Sequence, residues 1–189
     1  MTHEKRPETP DPRQRLSRRE LDRFDESVLP YLDAAYNLAR YLLRDVHDAE
    51  DAVQEGYLRA LRHLDGLRGV DGRAWLLSIV RNTCFTQMRR RRGGGEKLEF
   101  DEAIHTGDDE ASGPETDLAR TIAAQSVREG LAGLSVEFRE VVVLRELEGL
   151  SYKEIAQVTG VPIGTVMSRL ARGRRQLLLA LQARPKGSD

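Results

Sequence analysis

The sequence has 189 residues, 39% of them hydrophobic and 32% charged, so it suits one or two small domains with modest cores. Cys84 is the only cysteine, which excludes an intramolecular disulfide; no apolar run approaches the roughly 20 residues that cross a bilayer, and no leader-like segment follows Met1, so a cytoplasmic protein without membrane insertion is expected. The formal net charge of −1 speaks against a nucleic-acid partner only as an average, because residues 93–118 hold nine acidic side chains against one lysine while the blocks on either side are mildly basic.

In chain order, residues 1–20 contain Pro7, Pro10 and Pro12 with charges of both signs and no apolar period, which predicts a disordered arm. From Leu21 the pattern turns helical: Phe24, Val28, Leu32, Ala35, Leu38, Ala39 and Leu42 recur every three or four residues, with Pro30 bending or restarting the helix. Asp48 is the expected cap of a second helix that runs through Leu64 and buries Ala52, Val53, Leu58 and Leu61. Its opening turns carry Asp48, Glu50, Asp51 and Glu55, which suit the positive end of a helix dipole and equally suit a basic partner.

Asp65 to Gly72 reads as a Gly-rich loop, and a third helix over 73–92 is expected to bury Trp75, Leu76, Ile79, Val80 and Phe85. It ends in Arg89, Arg90, Arg91 and Arg92, denser than the negative end of a helix requires, so phosphate contact is the better reading. Residues 93–117 then form an acidic, flexible linker. Helices resume over 118–132 and 135–147, the second with Ser135 as cap and Gly149 as stop; Phe138, Val141, Val142, Leu144 and Leu147 supply a core.

Ser151 followed by Glu154 is a capping box. The short helix it starts is broken by Thr159-Gly160-Val161-Pro162, and a new helix follows, which makes a helix-turn-helix. In the second helix Val166, Leu170, Leu177 and Leu181 share one face, while Thr165, Ser168, Arg169, Arg172 and Arg175 take the other flank. No acidic residue lies between Glu154 and Asp189, so the outer face has one sign. At about 1.5 Å per residue this helix is roughly 30 Å long, enough to enter a major groove with its N-terminal half.

The fold class is therefore all-α: two small helical domains, 21–92 and 118–183, joined by a flexible acidic linker, the second with the helix-turn-helix, and a tail over 184–189. One helix-turn-helix supplies few base contacts, each giving about 1–3 kcal/mol of discrimination, so a second contact is needed. A tethered second module of this chain fits better than a twin subunit, because no heptad or extra dimer helix is visible. The alternative is a stand-alone homodimeric helix-turn-helix regulator. An enzyme finds no support: the histidines and Cys84 show no metal-ligand spacing, and Gly93-Gly94-Gly95 lacks the Lys and Ser/Thr of a phosphate loop, so no metal, cofactor or catalytic residue is expected.

Three stretches in this order, residues 48–55 (DAEDAVQE), 73–82 (RAWLLSIVRN) and 164–175 (GTVMSRLARGRR), closely resemble bacterial RNA polymerase sigma factors of the extracytoplasmic-function (ECF) type. The resemblance covers roughly 24–182 and implies a transcription-initiation factor that binds core RNA polymerase, through the coiled coil of the largest subunit and the flap, together with promoter DNA and an anti-sigma factor. It implies that Asp48, Asp51, Gln54 and Glu55 contact the polymerase. It places Leu67, Arg68, Gly69, Asn82, Arg89, Arg90 and Arg91 at the minus-10 element, Asn82 in a pocket for a flipped base, with Trp75 as scaffold. At the minus-35 element it sets Met167, Ser168, Ala171 and Arg172 toward bases and Thr165, Arg169 and Arg175 nearer phosphates. Thr86 is a departure, standing where many members carry Asp, which puts in doubt a salt bridge within that helix and the transfer of any minus-10 sequence preference.

Overall fold

Phe24 and Val28 give α1 (Arg18–Val28) its buried stripe, and Pro30 then forces a single 3₁₀ turn, Leu29–Tyr31, before α2 (Leu32–Leu43). The computed structural model describes residues 17–67, 69, 71–94 and 114–183, and every regular element among the described residues is helical. Residues 1–16 of the expected arm, 95–113 of the expected linker and 184–189 of the tail lie outside them. The first helix begins at Arg18, ahead of the expected Leu21.

Helix α2 closes on Arg44, whose φ of 64° is left-handed, and α3 (Val46–Arg62) opens at once. The cap is Asp45 rather than the expected Asp48: its Oδ1 accepts the Asp48 N–H at 2.7 Å from an extended backbone, whereas Asp48 already lies in the first turn. After a 3₁₀ turn, Leu64–Leu67, Asp71 caps α4 (Gly72–Gly94) by accepting the Ala74 N–H at 3.0 Å.

Small residues set the spacing of this lobe. Ala34, Ala35 and Ala39 of α2 and Ala49, Ala52 and Ala60 of α3 are buried, so the helices approach closely. Buried positions on α4 exceed one stripe: Leu76 and Leu77 are neighbours and both fully enclosed, as are Val80, Thr83 and Cys84. The cause is that α4 is covered twice, by α2 and α3 on one side and by the second lobe on the other. Trp75, Ile79 and Phe85, expected in the core, are half-buried instead, as are Val53 and Leu58 of α3.

The second lobe comprises α5 (Pro114–Ala132), α6 (Val136–Val142) with a following π turn (Val143–Leu147), α7 (Tyr152–Thr159) and α8 (Ile163–Gln182). Buried Arg139 organises it. Its guanidinium donates to the carbonyls of Leu131, Ala132 and Leu134 at 2.8–3.0 Å, and so serves the C-terminal end of α5 and the turn that follows it. Burial pushes its pKa down to about 10. Helix reaches into both ends of the expected linker, to Gly94 and from Pro114.

The two lobes touch. Helix α2 packs on α6, and α4 on α7. Their buried apolar side chains belong to one continuous core.

Candidate nucleic-acid interface

The capping box of α7 is complete: Ser151 Oγ accepts the Glu154 N–H at 3.2 Å and Glu154 Oε2 accepts the Ser151 N–H at 2.7 Å. Hydrogen bonding of its carboxylate by the Ser151 side chain, and then by the Ser151 amide, holds the Glu154 carboxyl below its ordinary range. Gly160 ends the helix at φ 71°, a conformation open to glycine at no steric cost, and Pro162 forms the N-cap of α8. Val166, Leu170 and Gly173, at steps of four and three, are the buried residues of α8. A Cβ on Gly173 would sit 2.7 Å from Val142 Cγ2, so its bare backbone lets α8 lie flush on α6.

That docking turns the opposite flank outward. Met167 is 51% exposed, and Ser168, Ala171, Arg172 and Arg175 are exposed too. Thr165 is half-buried. Arg172 and Arg175 have no ion-pair partner among the described residues, whereas Arg174 is paired with Glu146 at 2.6 Å. Arg169 differs from its neighbours: its Nη1 lies 3.4 Å from Oε1 of Glu140, toward the interior.

On the first lobe Asn82, Arg89 and Arg90 are exposed, and so is Gly69, at φ 73°; Leu67 is half-buried. Arg68 and the side chain of Arg92 lie outside the described residues. The Thr86 hydroxyl donates to the Asn82 carbonyl at 2.8 Å, a local bond in place of a helix-internal ion pair. Arg91 is ion-paired with Asp48, so a residue matched to DNA and one matched to the polymerase are occupied by each other. Burial, with Asp45 beside it, pushes the Asp48 carboxyl up against the pull of Arg91. Asp51, Gln54 and Glu55 are exposed on α3, with Glu55 bonded to Arg59 one turn on. Beside them a cleft of about 340 Å³ is walled by Leu29, Leu32, Tyr36, Val53 and Tyr57.

The polar ties between the lobes were not foreseen in the sequence. Arg81 of α4 grips Glu140 of α6 with Nε at 2.7 Å and Nη2 at 3.2 Å, its guanidinium lying over the Phe85 ring at 4.3 Å. Glu148 accepts from Asn37 at 3.2 Å and faces Arg73, and Arg139 donates to the Tyr41 carbonyl at 3.0 Å. The signal was present: Arg139-Glu140 is embedded between Phe138 and the run Val141 to Leu144, and a charge enclosed by so apolar a stretch has to be paired.

Two helical lobes, one presenting an exposed helix of single sign from a capped helix-turn-helix and the other ending α4 in arginines, define a DNA-binding protein. Residues 28–93 match the family described as Sigma-70 region 2, and residues 124–177 match Sigma-70, region 4. The chain is 34% identical over 177 residues to the RNA polymerase sigma-H factor of Pseudomonas aeruginosa, covering 89% of this chain and 91% of that one. It is 38% identical over 154 residues to the ECF RNA polymerase sigma factor SigE of Mycolicibacterium smegmatis, covering 82% of this chain and 60% of that longer relative. Among solved structures, the sigma factor RpoE in complex with the anti-sigma factor NepR from Bartonella quintana superposes with a TM-score of 0.71 at 30% identity, covering 86% of this chain and 98% of that one. The chain belongs to the sigma-70 family of RNA polymerase sigma factors, in its ECF group.

Proposed function

We propose that this sigma factor binds core RNA polymerase through the exposed acidic face of α3, reads a minus-35 element with α8, and opens the minus-10 element with α4 and the segment that precedes it, including Leu67, Arg68 and Gly69. The observation that carries the reading is the outer flank of α8, where Met167, Ser168, Ala171, Arg172 and Arg175 stand clear of the core with no carboxylate on the helix. An apolar side chain and hydroxyl among guanidiniums suit base edges and phosphates together. Asp51, Gln54 and Glu55 supply the polymerase contact, with the apolar cleft beside them. Asn82 takes the flipped base, and Arg89 and Arg90 hold the backbone. The chain acts in the cytoplasm, the chemistry belongs to the polymerase, and an anti-sigma factor holds it inactive. No helix among the described residues is long and apolar enough to cross a membrane.

Run-off transcription with purified core enzyme and a promoter library tests this. The expected result is initiation at a subset of promoters sharing two elements, with poor DNA binding until core enzyme is added. Tight binding of the chain alone to a two-fold symmetric site, indifferent to polymerase, would overturn it in favour of a homodimeric regulator. Arg172→Ala should lower use of promoters with one kind of minus-35 sequence by about 1–3 kcal/mol, seen as a changed ranking in the same library. Asp51→Lys with Glu55→Lys should abolish co-purification with core polymerase.

A further inference from the structure

Helix α8 carries an exposed apolar row that takes no part in its docking. Ile163, Met167 and Ala171 follow one another at steps of four, so they stack along one edge of the helix. Ile163 is 45% exposed, Met167 51%, and Ala171 is exposed as well, whereas the helix packs on α6 through its buried residues Val166, Leu170 and Gly173. Ser168, Arg172 and Arg175 form the polar row beside it. Met167 and Arg172 are five residues apart at about 100° each, which sets them about 140° apart, on opposite margins of the outward face.

Over residues 163–171 no side-chain N–H donor is turned outward. Gly164 has no side chain and Ala171 only a methyl. The Ser168 hydroxyl already donates to the Thr165 carbonyl at 3.0 Å, which leaves its oxygen as an acceptor. Arg169, the one cation of this stretch, is drawn toward Glu140 at 3.4 Å. The longest outward side chain ahead of Arg172 is therefore Met167, an unbranched thioether that adapts to irregular apolar surface. Among the base edges of a major groove, the apolar feature it can cover is the C5-methyl of thymine; covering a donor or an acceptor would strip that group of water and return no hydrogen bond. Cytosine projects its C5 at the same place, so 5-methylcytosine offers the same methyl.

We infer that Met167, flanked by Ile163 and Ala171, reads a pyrimidine C5-methyl group in the minus-35 element, so that promoter choice depends on a thymine there and responds to cytosine methylation at the same position. The inference rests on the proposed function, which lays α8 in the groove, and adds the chemical group that the helix selects. Arg172, on the far margin, makes a separate contact.

The test uses the full chain with core polymerase and a promoter duplex recovered in the run-off assay, with deoxyuridine replacing thymidine at one minus-35 position at a time. The two nucleosides differ only by the methyl. Burying one methyl is worth a factor of about four in affinity, so replacement at one position, or at two neighbouring ones, should weaken competition binding by about that much. Met167→Ala should bind the thymidine and deoxyuridine duplexes equally. Met167→Leu keeps an apolar side chain and should recover most of the discrimination, and Arg172→Ala should bind more weakly overall yet retain it. In a second arm the sensitive A·T pair becomes G·C, with cytosine or 5-methylcytosine where the thymine stood. The methylated duplex should be bound about fourfold better by the unaltered chain and no better by Met167→Ala.

Equal binding of thymidine and deoxyuridine duplexes at every minus-35 position would overturn the inference. So would a deoxyuridine penalty that survives Met167→Ala, or minus-35 elements recovered without any A·T pair. A penalty for deoxyuridine with no gain from 5-methylcytosine would keep thymine as the source of the methyl and remove the response to cytosine methylation. Run-off activity reports separately on the proposed function: transcription that needs a minus-35 element but ignores its methyl groups removes only this inference, and a chain that directs no transcription removes the reading beneath it.

Discussion

Ser151 and Glu154 show how a pair of side chains visible in the sequence becomes energy. Ser151→Ala should destabilise the chain by about 1 kcal/mol near neutral pH, measured by urea unfolding. The folded Glu154 carboxyl is depressed, so its contribution is complete above the ordinary carboxylate range and disappears as pH falls through the depressed value. The deficit of the variant should therefore narrow in acid. Arg139 is the opposite case, a residue whose apolar surroundings in the sequence say that it must be paired without saying with what. Three of its four carbonyl acceptors, Leu131, Ala132 and Leu134, cluster where α5 ends, and the fourth, Tyr41, comes from the other lobe, so only folding completes the set. Arg139→Met deprives those carbonyls of their buried guanidinium donor and should cost about 3 kcal/mol in the same measurement.

At the scale of an element, α8 was the most legible part of the chain. Its start, its buried face and its basic flank follow from Pro162, from the spacing of Val166 and Leu170, and from the absence of carboxylates. What spacing could not reveal is which basic residues are already engaged, because Glu140 and Glu146 arrive from another helix. Two glycines on this helix should respond in opposite senses. Gly173→Ala drives a methyl against Val142 and the Phe138 carbonyl and should cost about 1–3 kcal/mol. Gly164→Ala meets open space and should raise stability by up to about 1 kcal/mol through helix propensity. Thermal unfolding of the two variants side by side checks both signs. Helix α4 was read less well: a single amphipathic stripe was expected, and two covered sides make that rule fail at Leu77, Thr83 and Met88.

For the whole molecule, the all-helical class and the order of the elements were readable from periodicity and caps, whereas the contact between lobes was not. A long acidic stretch between two helical blocks reads as separation, and the contacts that bring the blocks together join residues some 60 to 110 positions apart. Because the lobes share a core, calorimetry of the intact chain should give one endotherm. Asn37→Ala with Arg73→Ala removes one of the ties and should split it into two, each closer to the unfolding of a single lobe.

The bond between Asp48 and Arg91 ties the opening turn of α3 to the far end of α4. Under the proposed function these two groups serve different ligands, a protein and a polyanion. Each ligand, in claiming its own residue, sets the other residue loose, and by thermodynamic reciprocity each must then strengthen the other's hold by the same factor. Polymerase and promoter would thus be made cooperative by a pair of side chains that neither ligand bridges.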